Sequence, residues 1–150
     1  MNAAELCVRK TVVIGQNESV LKAARLMRDH HVGSLVVVLK DGGTQPIGIV
    51  TDRDLTISVL ADDLRGPDVP ISQVMSGDLL TVPETRGAFE ALEEMRLRGV
   101  RRAPVVDRDG QLIGILTIDD ILDFVSEEMG SVIRLFKTEQ EHEQAGRRAG

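Results

Sequence analysis

The strongest constraint on this chain is that it carries one segment twice. The first copy ends Gly48-Ile49-Val50-Thr51-Asp52-Arg53-Asp54, and the second ends Gly114-Ile115-Leu116-Thr117-Ile118-Asp119-Asp120. Upstream, Val20, Ala23 and Met27 match Ala88, Ala91 and Met95, 68 positions apart (95 − 27). The same spacing pairs Val32 with Val100, Val37-Val38 with Val105-Val106, and Asp41-Gly42 with Asp109-Gly110. Beyond the turn the spacing is 66 (114 − 48), so the first copy holds two extra residues near Gly43-Thr44-Gln45. Insertions are tolerated in hairpin turns, and a register that survives one marks a duplication.

Apolar spacing gives each copy the same elements. Thr11 to Ile14 reads as a short strand. Ser19 is placed to cap a helix whose buried face is Val20, Ala23, Ala24 and Met27, at i, i+3, i+4 and i+7, and Gly33 ends that pattern. Leu35 to Leu39 is a β-branched-rich run typical of a buried strand; Asp41-Gly42-Gly43 turns the chain and Ile47 to Val50 returns it. Thr51 or Asp52 then caps a helix through Leu55 and Val59. Gly66-Pro67-Asp68-Val69-Pro70 links the halves, and Ile71 to Met75 is helix-like. In the second copy strands are expected at Leu79–Val82, Ala103–Val106 and Leu112–Leu116. Helices are expected at Thr85–Arg98 and from Ile118, with a hairpin turn at Asp107-Arg108-Asp109-Gly110. The last helix keeps its apolar period past Gly130 through Val132, Ile133 and Phe136, either as core or as a face for a partner subunit. The polar residues beyond Lys137 are expected to fray.

Composition excludes several classes. A chain of 150 residues can bury about 68–70% of its unfolded surface, whereas either half alone is marginal, so the halves are expected to share one packed unit. A net charge of −6 argues against general nucleic-acid binding. With no Trp or Tyr and three Phe, there is little to stack single strands on. Cys7 is the only cysteine, so no internal disulfide forms and a reducing cytoplasm is the expected home. No signal peptide or membrane-length apolar run is visible.

Strand, helix, strand, strand, helix, ending in Gly-aliphatic-aliphatic-Thr-x-x-Asp, resembles the CBS domain (the cystathionine β-synthase type), and two in tandem resemble a Bateman module. The resemblance spans about residues 8–129. It implies an α/β fold of the α+β type, with two repeats of β-α-β-β-α order packed pseudo-twofold through their sheets. The repeats would occupy 8–62 and 75–129, followed by a helical extension and polar tail at 130–150. It also implies a regulatory module, not an enzyme, binding an adenosine-containing ligand: AMP, ADP or ATP, with NAD and S-adenosylmethionine as further options. A homodimer and a separate, unidentified effector protein are implied as partners, without membrane or nucleic acid.

The residue chemistry is compatible. A carboxylate in a first helical turn can accept from both ribose hydroxyls, while free N–H groups and a Thr hydroxyl suit a phosphate. Asp54 and Asp120 are the ribose candidates, and Thr51 and Thr117 the phosphate-side candidates. The alternative is that each Thr and Asp only caps its helix. By resemblance, each cleft draws on both repeats: Thr51, Arg53 and Asp54 would face Leu80, Val100, Arg101 and Arg102. Thr117, Asp119 and Asp120 would face Val12, Val32, Gly33 and Ser34. The first cleft would collect three arginines, while the second holds Asp119 where the first has Arg53. The first is therefore expected to take the more phosphorylated ligand.

Other residues carry less. His30-His31 point about 100° apart on a helix and do not converge on one metal. Cys7 lacks a base pattern, and Gly42-Gly43 is not followed by the Lys-Ser/Thr of a phosphate loop. Two competing functions remain: a dimerisation scaffold with degenerate clefts, and a nucleotide-processing enzyme, for which no nucleophile–base pair is visible.

Overall fold

The computed structural model describes residues 1–39 and 43–148. The expected turn at Asp41-Gly42 lies outside the described residues. Two three-stranded sheets carry the chain. β1 (Val13–Gly15), β2 (Ser34–Val38) and β3 (Pro46–Thr51) form one, and β4 (Val82–Pro83), β5 (Arg102–Val106) and β6 (Leu112–Thr117) the other. In each sheet the first strand runs parallel to the second and the third runs antiparallel. The duplication holds to the register: Ser34 pairs Thr51 as Arg102 pairs Thr117, and both ladders slip at the same place, after Val37 and Val105.

Helices α2 (Val20–His30) and α4 (Ala88–Arg98) cross over between the parallel strands. Ser19 caps α2 by accepting from the Lys22 N–H at 3.2 Å. Val20, Ala23 and Met27 are buried as the spacing requires, but Ala24 is exposed. It sits about 100° further round the helix, outside the narrow line of contact with the sheet. The helix ends at His31, not Gly33, in the left-handed conformation (φ 54°) that Gly99 adopts at the end of α4 (φ 65°). α4 begins at Ala88, three residues later than expected, behind Gly87. The helix after β3 is short: α3 covers Asp52–Leu55 and passes into a π-helical turn at Thr56–Leu60.

The core forms two clusters, one per repeat. Each is completed by a segment leading into the other repeat. Val69 and Ile71, which precede the second copy, belong to the first cluster, whereas Ala3 and Cys7, which precede the first copy, belong to the second. The hydrogen bonds match by the repeat spacing. Ile71 N–H donates to Glu18 O (2.8 Å) and Ser72 N–H to Gln16 O (2.9 Å); Ala3 N–H donates to Arg86 O (2.8 Å) and Ala4 N–H to Glu84 O (3.1 Å). Further along, Ser76 bridges Ile49 and Val8 bridges Ile115. α1 (Ala3–Leu6) starts this crossing, with Asn2 and Glu5 forming a capping box. The exchange makes one unit of two cores, because neither repeat's core is complete without its neighbour's lead-in segment.

The crossing also explains the glycine that opens each motif. A Cβ on Gly48 would lie 2.7 Å from Ser76 O, and one on Gly114 would lie 2.8 Å from Val8 O. The remaining sheet faces meet each other. Val36 and Pro104, equivalent by repeat, are fully buried yet outside both clusters. Arg102 reaches Ser34 at one end of this contact, and Gln111 accepts from the Thr44 N–H at the other.

α5 (Ile118–Arg148) runs 31 residues without interruption, which corrects the expectation of fraying beyond Lys137. Glu, Gln, Lys and Arg are good helix formers, so a polar stretch is not thereby a coil. No helix among the described residues is long and apolar enough to cross a membrane.

Candidate functional site

Both Thr-x-x-Asp motifs stand where the last strand of a sheet gives way to a helix. Thr51 keeps the extended backbone of β3 and caps α3. Its Oγ1 accepts from the Asp54 N–H (3.2 Å), and Asp54 Oδ2 accepts from the Thr51 N–H (2.8 Å). Thr117 and Asp120 repeat the box at 3.2 and 2.8 Å. Capping is thus a real duty of all four residues. It leaves chemistry spare: the box uses Oδ2 of each half-buried carboxylate, and Oδ1 has no partner among the described residues.

The two boxes differ. Thr117 Oγ1 also donates to Asp120 Oδ2 at 2.7 Å, which occupies both the hydroxyl hydrogen and a second lone pair. Among the described residues Thr51 makes no such bond, so its hydroxyl has a proton to give. The surroundings differ too. Arg53 and Asp119, one on each motif, are both exposed. Asp120 shares a cavity of about 290 Å³ with Glu5, Asp123 and Glu127, under the N-terminal segment. Nearby, burial pushes the Cys7 thiol above its usual range, with Arg9 opposing.

The opposing residues are anchored mainly within their own repeats. Val12 and Val32 pack on the first core, and Leu80 and Val100 on the second. Gly33 O accepts from Asp52 N–H (3.0 Å), and Arg101 O accepts from Ile118 N–H (2.9 Å), so each loop is tied to the motif of its own repeat. One described side-chain bond joins the two predicted clefts: Arg102 Nη1 donates to Ser34 Oγ at 2.5 Å. Ser34 and Arg102 are repeat equivalents, so this bond lies at the pseudo-twofold centre, between the motif ends of the sheets. Arg101 is exposed and Arg102 half-buried.

A second cavity, of about 420 Å³, lies at the hairpin ends of the sheets, among Pro46, Leu79 and Gly110. It is remote from the motifs and has no charged cluster. Among the described residues no group of three or more His, Cys, Asp and Glu is placed to hold a metal ion.

Sequence reasoning missed the N-terminal segment as part of the second repeat's surroundings. The signal was present, since Asn2-x-x-Glu5 is a capping-box pattern. What that helix packs on had no local signature.

Comparison with known proteins places this geometry. The family model described as "CBS domain" matches residues 3–60 and 71–127. An uncharacterized protein of Methanopyrus kandleri is 37% identical over 122 residues; the match takes 81% of this chain and 61% of that relative's length. Among solved structures, Hypoxic Response Protein I with two coordinated zinc ions superposes with a TM-score of 0.72 at 28% identity, covering 82% of this chain and 98% of that one. The CBS domain pair of protein MJ0100, in complex with 5'-methylthioadenosine and S-adenosyl-L-methionine, gives a TM-score of 0.73 at 22% identity, covering 85% and 98%, and so speaks to the fold alone. The chain belongs to the CBS domain family, with two copies of the domain paired in one module.

Proposed function

We propose that this pair is a regulatory module that senses an adenosine-containing ligand and signals to a separate effector protein as an intracellular homodimer. The observation that carries the reading is the pair of half-buried carboxylates, Asp54 and Asp120, held rigidly by capping boxes with Oδ1 left over. A fixed carboxylate oxygen beside a helix start is suited to ribose hydroxyls, through charge-assisted bonds. Family membership supports ligand regulation, and the bound ligands of the MJ0100 pair motivate adenosyl compounds as candidates.

The clefts are proposed to be unequal. Thr51 has a free hydroxyl hydrogen, and Arg53 stands on the same motif. With Arg101 and Arg102 added across the interface, the first cleft would attract AMP, ADP or ATP. At the second, Asp119 and the carboxylates around Asp120 repel phosphate, which leaves it for a ligand with less negative charge, such as S-adenosylmethionine. NAD is the remaining candidate.

Calorimetric titration with AMP, ATP, NAD and S-adenosylmethionine tests this, using Asp54→Asn and Asp120→Asn. Asparagine keeps an acceptor for the Thr N–H but loses the charge, so ligand binding and capping separate. Micromolar binding of a phosphorylated ligand, weakened in Asp54→Asn and in Arg53→Ala while thermal stability holds, is the expected result. If none of the four ligands bound, the motifs would be caps alone and the module a dimerisation scaffold.

A further inference from the structure

One arginine stands between the two motif ends. Arg102 opens β5, where it pairs in register with Thr117, the motif threonine of its own repeat. Its repeat equivalent, Ser34, opens β2 and pairs with Thr51. The Arg102 side chain crosses to the other repeat, and Nη1 donates to Ser34 Oγ at 2.5 Å. By the cleft assignment above, Arg102 belongs to the wall opposite Thr51 and Asp54. Ser34 belongs to the wall opposite Thr117 and Asp120, so the bond joins one residue from each wall. Both residues are half-buried. Among the described residues no carboxylate forms an ion pair with Arg102. The one described partner of its guanidinium is a neutral hydroxyl.

Burial weakens the hydration of a cation, and a neutral hydroxyl returns less than an anion would. We infer that Arg102 couples the two clefts, with a sign set by the charge of the ligands. A phosphorylated ligand in the first cleft draws the guanidinium away from Ser34 and neutralises it. A cationic ligand in the second cleft then meets less repulsion and binds more tightly. An anionic ligand there loses the same cation and binds more weakly. The asymmetry of the repeats makes this possible. With a second arginine at position 34, each cleft would hold a cation of its own, and no competition would arise. Arg53 and Arg101 are exposed and make no described side-chain bond between the repeats, so they do not carry the coupling. The element with two states is the Arg102 side chain itself, on Ser34 or on phosphate. Coupling through one such element is reciprocal, each ligand changing the other's affinity by the same factor.

This deepens the two-cleft reading above and rests on it. Calorimetric titration of the full chain with ATP, with and without saturating S-adenosylmethionine, tests it, and the reverse titration checks reciprocity. S-adenosylmethionine should tighten ATP by about 5-fold or more, and ATP should tighten S-adenosylmethionine by the same factor. 5'-Methylthioadenosine carries the adenosyl group without the sulfonium charge and should leave ATP nearly unchanged. Arg102→Ala should abolish the S-adenosylmethionine factor, and Arg102→Lys, which keeps the charge, should retain part of it. Independent binding, mutual exclusion or binding of only one of the two ligands overturns the coupling while a ligand-binding module stands. So does an equal factor with 5'-methylthioadenosine, or a factor that survives Arg102→Ala. Failure of ATP and S-adenosylmethionine alike to bind overturns both the coupling and the reading beneath it.

Discussion

Replacing Gly114 with alanine should destabilise the whole module through a contact 107 positions away in sequence (114 − 7). A Cβ there would sit 2.6 Å from Cys7 Sγ and 2.8 Å from Val8 O. Carbon contacts are comfortable near ~3.5–4.0 Å, so the N-terminal segment must retreat by about an ångström. That retreat breaks a pair of backbone bonds, Val8 N–H to Ile115 O (2.9 Å) and Ile115 N–H to Val8 O (3.1 Å). Two such bonds at ~0.5–1.5 kcal/mol each, with ~1–3 kcal/mol for overpacking, give a loss of about 2–6 kcal/mol. For a chain of this size, at ~2–4 °C per kcal/mol, that lowers Tm by roughly 4–24 °C. The assay is denaturant and thermal unfolding of Gly114→Ala beside Gly77→Ala, where nothing lies within 4 Å and the change should stay within about 1 kcal/mol. Cys7→Ala added to Gly114→Ala removes the sulfur clash but not the carbonyl, so it should recover only part of the loss. Unchanged unfolding in Gly114→Ala, or an equal loss in Gly77→Ala, would refute the crossing as the reason for the motif glycine.

Two further outcomes follow from the duplicated geometry. Thr51→Ala removes a cap and should cost about 1 kcal/mol. Thr117→Ala should cost more, because the Thr117 hydroxyl also donates to Asp120; paired chemical denaturation curves of the two variants check the order. His31 occupies a left-handed position that its repeat equivalent fills with Gly99. His31→Gly should therefore stabilise by up to about 1 kcal/mol, and Gly99→Ala should destabilise by a similar amount, read as opposite shifts in Tm.

Much of the site's placement is legible in the amino-acid sequence. The Thr-x-x-Asp spacing is that of a capping box, so its position at a strand–helix junction follows from local hydrogen bonding over three residues. Ser19 as a cap and Val20, Ala23 and Met27 as a buried face are equally local. The misreadings share a cause. Ala24 fits the apolar period, but its exposure depends on how much of the helix the sheet covers. The polar end of α5 lacks an apolar face, which bears on packing rather than on helix propensity. The asymmetry of the boxes is only half visible in the residues, as Arg53 against Asp119. The Thr117–Asp120 bond and the carboxylates gathered around Asp120 come from tertiary placement.

The amino-acid sequence by itself determined the duplication, the order of strands and helices in each copy, and the four residues at the two motif ends. These depend on periodicity and on contacts a few residues apart, and each repeat states them independently. Only the tertiary structure decided that each repeat's lead-in segment crosses to the other core, and that Gly48 and Gly114 serve that crossing. It also decided that Arg102 meets Ser34 between the clefts, a contact between positions 68 apart. Backbone pairing and close approach at such range leave no local pattern, because any residue supplies an N–H and a carbonyl and only the fold chooses which ones meet.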